Sequence, residues 1–103
     1  MADTRYAVVW PRSAKTVEIA PLAPRLTSLE GKTVAHLWDY LFRGDEIFPM
    51  LEDGLKERYP GIKFIGYDTF GSTHGGDERR VIAELPEQLE RLGVDAVISG
   101  MGC

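Results

Sequence analysis

The 103-residue sequence predicts an α/β fold, a three-layer sandwich around a parallel sheet. From Gly31 onward, short apolar runs alternate with longer segments of helical period, in the order strand, helix, strand, helix, strand. Each helical segment opens on acidic residues and closes on glycine or proline breakers. The length allows one domain with a thin core, burying roughly 65% of the surface an unfolded chain exposes.

Residues 1–30 read as an irregular N-terminal arm. Tyr6-Ala7-Val8-Val9-Trp10 is a strand-like run closed by Pro11. Pro21 and Pro24 make residues 20–28 an extended segment expected to hug a surface, with Arg25 and Leu26 as anchors. The folded part opens at Gly31. Residues 32–38 are mostly apolar and predict a buried strand, in which His36 is a hydrogen-bonded core residue. A helix is expected near 45–58. Asp45 or a neighbour would cap it, Asp45 and Glu46 suit its positive end, and Pro49 is tolerable only in the first turn. Ile47, Leu51 and Leu55 recur every four residues and should face the sheet. Tyr59-Pro60-Gly61 ends the helix.

The unit then repeats. A strand over 62–67 leads into a polar, glycine-rich loop from Asp68 to Gly76. Asp77 would cap a helix over 77–92 that carries Val81, Ile82, Leu85, Leu89 and Leu92, with Gly93 as its stop. Pro86 should kink that helix or divide it in two. Residues 94–99 read as the third strand. Right-handed crossovers order the strands second-first-third, the flavodoxin-like start of a doubly wound fold.

Charge and cysteine content exclude several functions. Lys and Arg number 12 against 16 Asp and Glu, a net −4 without any basic run, so the footprint of a nucleic-acid binder is absent. The single cysteine, Cys103, excludes an internal disulfide framework, a zinc ribbon and a C-x-x-C pair. No Cys, His and Asp grouping has metal-ligand spacing, and no nucleotide-binding glycine motif is present, so no metal or cofactor is expected. No apolar run approaches the ~18 residues of a membrane helix, and no secretory leader follows Met1, which gives a cytoplasmic expectation.

Ligands of doubly wound sheets bind at the carboxyl ends of the strands, and that rule picks out the candidates. Cys103, just past the third strand, is a thiol nucleophile, acid/base or redox group if a cation or helix end stabilises its thiolate, and otherwise a frayed thiol. His74, on the glycine-rich loop, is either a base or an exposed loop histidine. Ser72, Thr73 and Gly75 could bind a carboxylate or phosphate beside it. Asp39, Tyr40 and Arg43 follow the first strand, where an arginine fork could clamp a carboxylate or where all three simply form a helix-capping and surface cluster. Gly102 completes the set at the end of the third strand.

Several segments resemble a known family. Leu22-Ala23-Pro24-Arg25-Leu26 and Leu29-Glu30-Gly31-Lys32-Thr33-Val34, then Phe70-Gly71-Ser72-Thr73-His74-Gly75, and Val94-Asp95-Ala96-Val97-Ile98-Ser99-Gly100 are similar to segments of the UGSC-motif selenoprotein and cysteine-homologue family. The resemblance implies a signature of selenocysteine or cysteine, Gly, Ser and Cys after the third strand, with Cys103 at its first position, and it tilts the chemistry toward thiol redox or thiol-mediated transformation of a small organic acid. By fold-level analogy, Asp/Glu-racemase-like proteins also place cysteines at strand ends.

The third strand lacks both a covering helix and a partner at one edge, so residues 31–103 are expected to be half of a doubly wound domain completed by another chain. The expected function is a subunit of a cysteine-dependent enzyme, catalytic through Cys103 and His74, that acts on a small molecule. The alternative is a non-catalytic subunit completing a partner's fold.

Overall fold

The structure, a computed structural model, describes residues 6–13 and 15–102. Strand β1 is Thr33–Trp38, helix α1 Gly44–Arg58, strand β2 Lys63–Ile65, helix α2 Glu78–Arg91 and strand β3 Ala96–Gly100, with a single 3₁₀ turn at Tyr67–Thr69. All three strands are parallel, in the order β2-β1-β3. The α/β class, the element order and the strand order all match the expectation from sequence.

The period of two along β1 splits its side chains between the sheet faces. Ala35 and Leu37 meet Phe70 on one face, where Ile65, Leu85, Leu89 and Val94 close over them. On the other face His36 stacks on Phe64 and packs against Phe48 of α1, while Trp38 reaches Phe48 edge-on. α2 thus covers one side of the sheet and α1 the other.

That packing corrects the expected phase of α1. Gly44 and Phe48 are its buried positions and Glu52 is half-buried, whereas Ile47 and Leu51 lie 41% and 39% exposed. The rings of His36 and Trp38 set the phase. Phe48 fits between them, and Gly44 lies flush on the indole, where a Cβ would come within 2.6 Å of Trp38.

Neither expected acidic cap makes a side-chain cap bond: Arg43 occupies the N-cap of α1, and Asp77 that of α2. Both prolines lie inside continuous helices, so Pro49 is not confined to the first turn and Pro86 does not divide α2. Each leaves the carbonyl four residues earlier, of Asp45 or Ile82, without its helical donor. Asp45 and Ile82 are exposed, so water can hydrogen-bond those carbonyls. Gly93 does stop α2. At φ +66° it donates to Glu90 O, and Val94 N donates to Leu89 O, the paired bonds of a Schellman end.

β2 is shorter than the expected 62–67. The chain leaves it at Gly66 into the 3₁₀ turn, which packs Tyr67 beside Phe48 and Trp38, and it returns to β1 only at a single Trp38–Ser72 bridge.

The strand-like run at 6–10 is not a strand, because no partner chain segment supplies its hydrogen bonds among the described residues. Of residues 20–28, expected to lie on a surface, five reach the body. Residues Leu22–Leu26 border an open cleft of about 460 Å³ with Asp95 and Ala96. Before them the chain stands out, giving a radius of gyration of 20.2 Å against about 13 Å for a compact chain of this size. β3 is the least covered strand: Val97 is 40% exposed, and no described strand pairs with its outer edge.

Candidate functional site

The carboxyl ends of β1 and β3 meet the loop after β2, and Asp39 joins all three. Its main-chain N–H donates to Gly100 O (3.3 Å). Its carboxylate accepts the N–H of Leu41 through Oδ1 (3.1 Å) and the N–H of Gly102 through Oδ2 (2.7 Å). The residue is 3% exposed. The Gly102 N–H holds the Asp39 carboxyl below its ordinary range; burial opposes this, and the Leu41 N–H, its own N–H and the nearby His74 assist. Asp39 is therefore an ionised anchor that fixes the backbone one residue before Cys103.

The loop after β2 is tied in by backbone and hydroxyl groups. Thr73 N donates to Trp38 O (3.2 Å), and Thr73 Oγ1 donates to Met101 Sδ (3.6 Å). Ser72 Oγ accepts from His74 N (3.1 Å) and donates to His74 O (2.5 Å), with Asp39 O also 3.4 Å away. That hydroxyl pinches the loop so that His74 stands exposed beside the cluster.

The structure brings together Asp39, Ser72, Thr73 and Gly102, with His74 at their rim. Gly75 lies one residue further out in solvent at φ +120°, with nothing within 4 Å of where a Cβ would be. Arg43 is outside the cluster: its side chain is exposed and paired with Glu46 at 3.1 Å. Cys103 lies outside the described residues. Among the described residues, no group of three or more His, Cys, Asp and Glu could hold a metal ion. None of the described helices is long and apolar enough to cross a membrane.

An aromatic wall backs the site. Trp38 stacks on Tyr40 (4.3 Å between centroids), and Tyr67 meets both rings edge-on. Tyr40 takes a left-handed φ of +63°, unusual for a bulky side chain. Burial, followed by the neighbouring Tyr67 and Asp68, raises the pKa of its phenol. Phe42 sets the path of the third strand's end, since a Cβ on Gly102 would come within 2.5 Å of its ring and one on Gly100 within 2.8 Å. Sequence reasoning placed Tyr40 beside Asp39 but missed Phe42 and Tyr67. The dense aromatic run Trp38-Asp39-Tyr40-Leu41-Phe42 after a strand was the available signal.

His36 is fully buried and hydrogen-bonds through Nε2 to Glu52 Oε1 (3.1 Å), the core role expected for it. Burial lowers its pKa, with the Glu52 carboxylate opposing.

A model of the UGSC family matches residues 7–103. This chain belongs to the UGSC family. No curated protein and no solved structure matches it. The matched span takes in the Asp39 cluster, the 72–75 loop and almost all of the arm, so in this UGSC-family chain the arm belongs to the family's common pattern.

Proposed function

We propose that this chain is a subunit of a cysteine-dependent enzyme of the UGSC family, in which Cys103 is the reactive thiol and His74 its acid/base partner. The supporting observation is the bond from Gly102 N to the Asp39 carboxylate, which fixes Gly102, the residue before Cys103, at the same strand ends that Ser72 and Thr73 contact. His74 takes the thiol proton and leaves a thiolate, the form that attacks substrate or takes part in redox exchange. Ser72 and Thr73 hold the loop, and their turn receives the carboxylate of a small organic acid; Arg43 would clamp it only by leaving Glu46, its partner in the free chain. The reaction is thiol redox or thiol-mediated transformation in a reducing, cytoplasmic setting. The sheet is a flavodoxin-like or racemase-like half, and a second chain completes it across the open edge of β3.

The uncovered β3 favours a second reading, a non-catalytic subunit that only completes a partner's fold. One experiment separates the two. Alkylation of Cys103 by iodoacetamide is followed by mass spectrometry across pH, in wild type and in His74→Gln, with the partner complex verified intact. The enzyme reading expects a thiol titrating below its ordinary value of about 8.5 that rises toward it in His74→Gln. A profile at the ordinary value in both proteins, with the complex's activity unchanged in Cys103→Ser, overturns it in favour of the structural subunit.

A further inference from the structure

One tie between the 72–74 loop and the end of β3 is made by sulfur. Ser72 spends its hydroxyl on Asp39 O and within the loop. Thr73, half-buried, sends its hydroxyl across the site and donates to Met101 Sδ at 3.6 Å. That hydroxyl has no other acceptor among the described residues. A thioether is a weak acceptor. This bond is therefore weaker than the two beside it, from Thr73 N to Trp38 O and from Gly102 N to the Asp39 carboxylate. Met101 is also 59% exposed, so its side chain meets whatever solvent carries.

We propose that Met101 is an oxidation site whose sulfoxide locks the 72–74 loop onto the end of β3. A hydroperoxide supplies the oxygen. A sulfur lone pair attacks its outer oxygen, the O–O bond breaks and an S–O bond forms. Sulfur gives up two electrons, and the departing oxygen takes the proton of the transferred one and leaves as water or an alcohol. The product is polar, and its oxygen accepts hydrogen bonds far better than the sulfur it replaces. A hydroxyl 3.6 Å from the sulfur stands where a sulfoxide oxygen, projecting from that sulfur, comes within the roughly 2.8 Å of an O–H···O bond. The unbranched methionine chain lets either sulfoxide epimer turn its oxygen that way.

The lock acts where the candidate residues gather. Thr73 adjoins the exposed His74, and Met101 adjoins Gly102, which Asp39 holds. A stronger Thr73–Met101 tie fixes the His74 loop relative to the β3 end, so oxidant in solvent sets how freely the strand ends part. Reduction of the sulfoxide by a thiol-dependent reductase, two thiols giving a disulfide and water, releases it. The device stands on the Thr73–Met101 contact and is independent of what Cys103 does. Met50 supplies the contrast: it is 71% exposed on α1 and lies beside Leu51, Gly54 and Leu55, away from the strand ends, so its oxidation leaves the loop unaffected.

The test treats the full chain, carrying Cys103→Ser and Met50→Leu, with hydrogen peroxide. Peptide mass spectrometry follows oxidation of Met101, and hydrogen exchange follows the Thr73 amide, which leaves Trp38 O when the loop opens. Exchange at Thr73 should slow about fivefold once Met101 is oxidised, and should recover after treatment with methionine sulfoxide reductase. Thr73→Val, which keeps the shape and removes the hydroxyl, should abolish the slowing. Met101→Gln, which sets an amide oxygen at similar reach, should slow exchange without peroxide. Exchange that is unchanged or faster in the oxidised protein overturns the proposal, as does equal slowing in Thr73→Val. So does a Met101 that, in the wild-type chain, stays reduced at a peroxide concentration that fully oxidises Met50.

Discussion

Replacing Gly44 by alanine should destabilise the fold, while the same change at Gly54 in the same helix should stabilise it. A Cβ at position 44 would lie 2.6, 2.8 and 2.9 Å from Cε2, Nε1 and Cδ2 of Trp38. Carbon atoms rest about 3.5–4.0 Å apart, so the deficit is about 1 Å against three atoms of one rigid ring. The indole cannot swing aside, because Tyr40 stacks on it at 4.3 Å and Tyr67 abuts it at 4.7 Å. The helix start must move instead, and overpacking of this kind costs about 1–3 kcal/mol. Alanine's helix propensity returns at most about 1 kcal/mol in a helix interior, and less at the first residue of α1. The net loss is about 1–2 kcal/mol, or a melting temperature lower by about 5–10 °C. At Gly54 nothing lies within 4 Å, so only the propensity gain of about 0.5–1 kcal/mol remains. Thermal unfolding of dilute protein followed by far-UV circular dichroism measures both. A Gly44→Ala protein as stable as wild type would refute the claim that the indole sets the seat of α1.

Phe48→Ala removes the ring that packs against both His36 and Trp38 and should cost about 3–5 kcal/mol in urea unfolding, whereas Leu51→Ala on the outward face should cost well under half as much. The burial-lowered pKa of His36 makes the folded state bind fewer protons than the unfolded one. Its contribution is therefore complete above the ordinary value of 6.5 and is lost as pH falls from there through the lowered folded value. Urea midpoints at pH 8 and pH 5 should differ in that direction, and the difference should shrink in His36→Phe. Asp39→Asn leaves one acceptor oxygen for two backbone N–H donors and turns an amide toward one of them. Hydrogen exchange at the Gly102 amide should accelerate by at least an order of magnitude, and an unchanged rate would show that Asp39 does not hold that residue.

The elements that could be read directly are those with local causes. Gly93 stops α2 because a left-handed residue and two backbone bonds suffice, and the left-handed turn at Gly31 before β1 closes with its own local bond from Lys32 N to Leu29 O. The phase of α1 was only partly legible from its own period: Leu55 is half-buried as expected, but Ile47 and Leu51 are one residue or more out of step with the true inward pair Gly44 and Phe48. What decides between them is the pair of rings on β1, information outside the helix. The prolines misled for a related reason: the cost of a freed carbonyl depends on whether water reaches it, which only packing settles. At the site, strand-end position alone brought forward Asp39, Ser72, Thr73, His74 and Gly102, and the structure gathers them. That the Asp39 carboxylate is spent on the amide of Gly102, far along the chain, could not be read from either neighbourhood.

The placement of β1 between β2 and β3 has a consequence for how the chain acquires its structure. β1 is the first strand synthesised yet becomes the central one, and its pairing with β3 joins residues such as Val34 and Ala96 that are 62 positions apart. The β1–α1–β2 unit can form early, but it leaves one side of β1 open, with the N–H and C=O groups of a future central strand exposed. Loop closure over that span must precede any gain from the second ladder, which slows folding relative to a sheet of consecutive strands. During translation the growing chain is therefore an unfinished edge until Ala96–Gly100 emerge, and that interval is when a chaperone or a neighbouring nascent chain would find it.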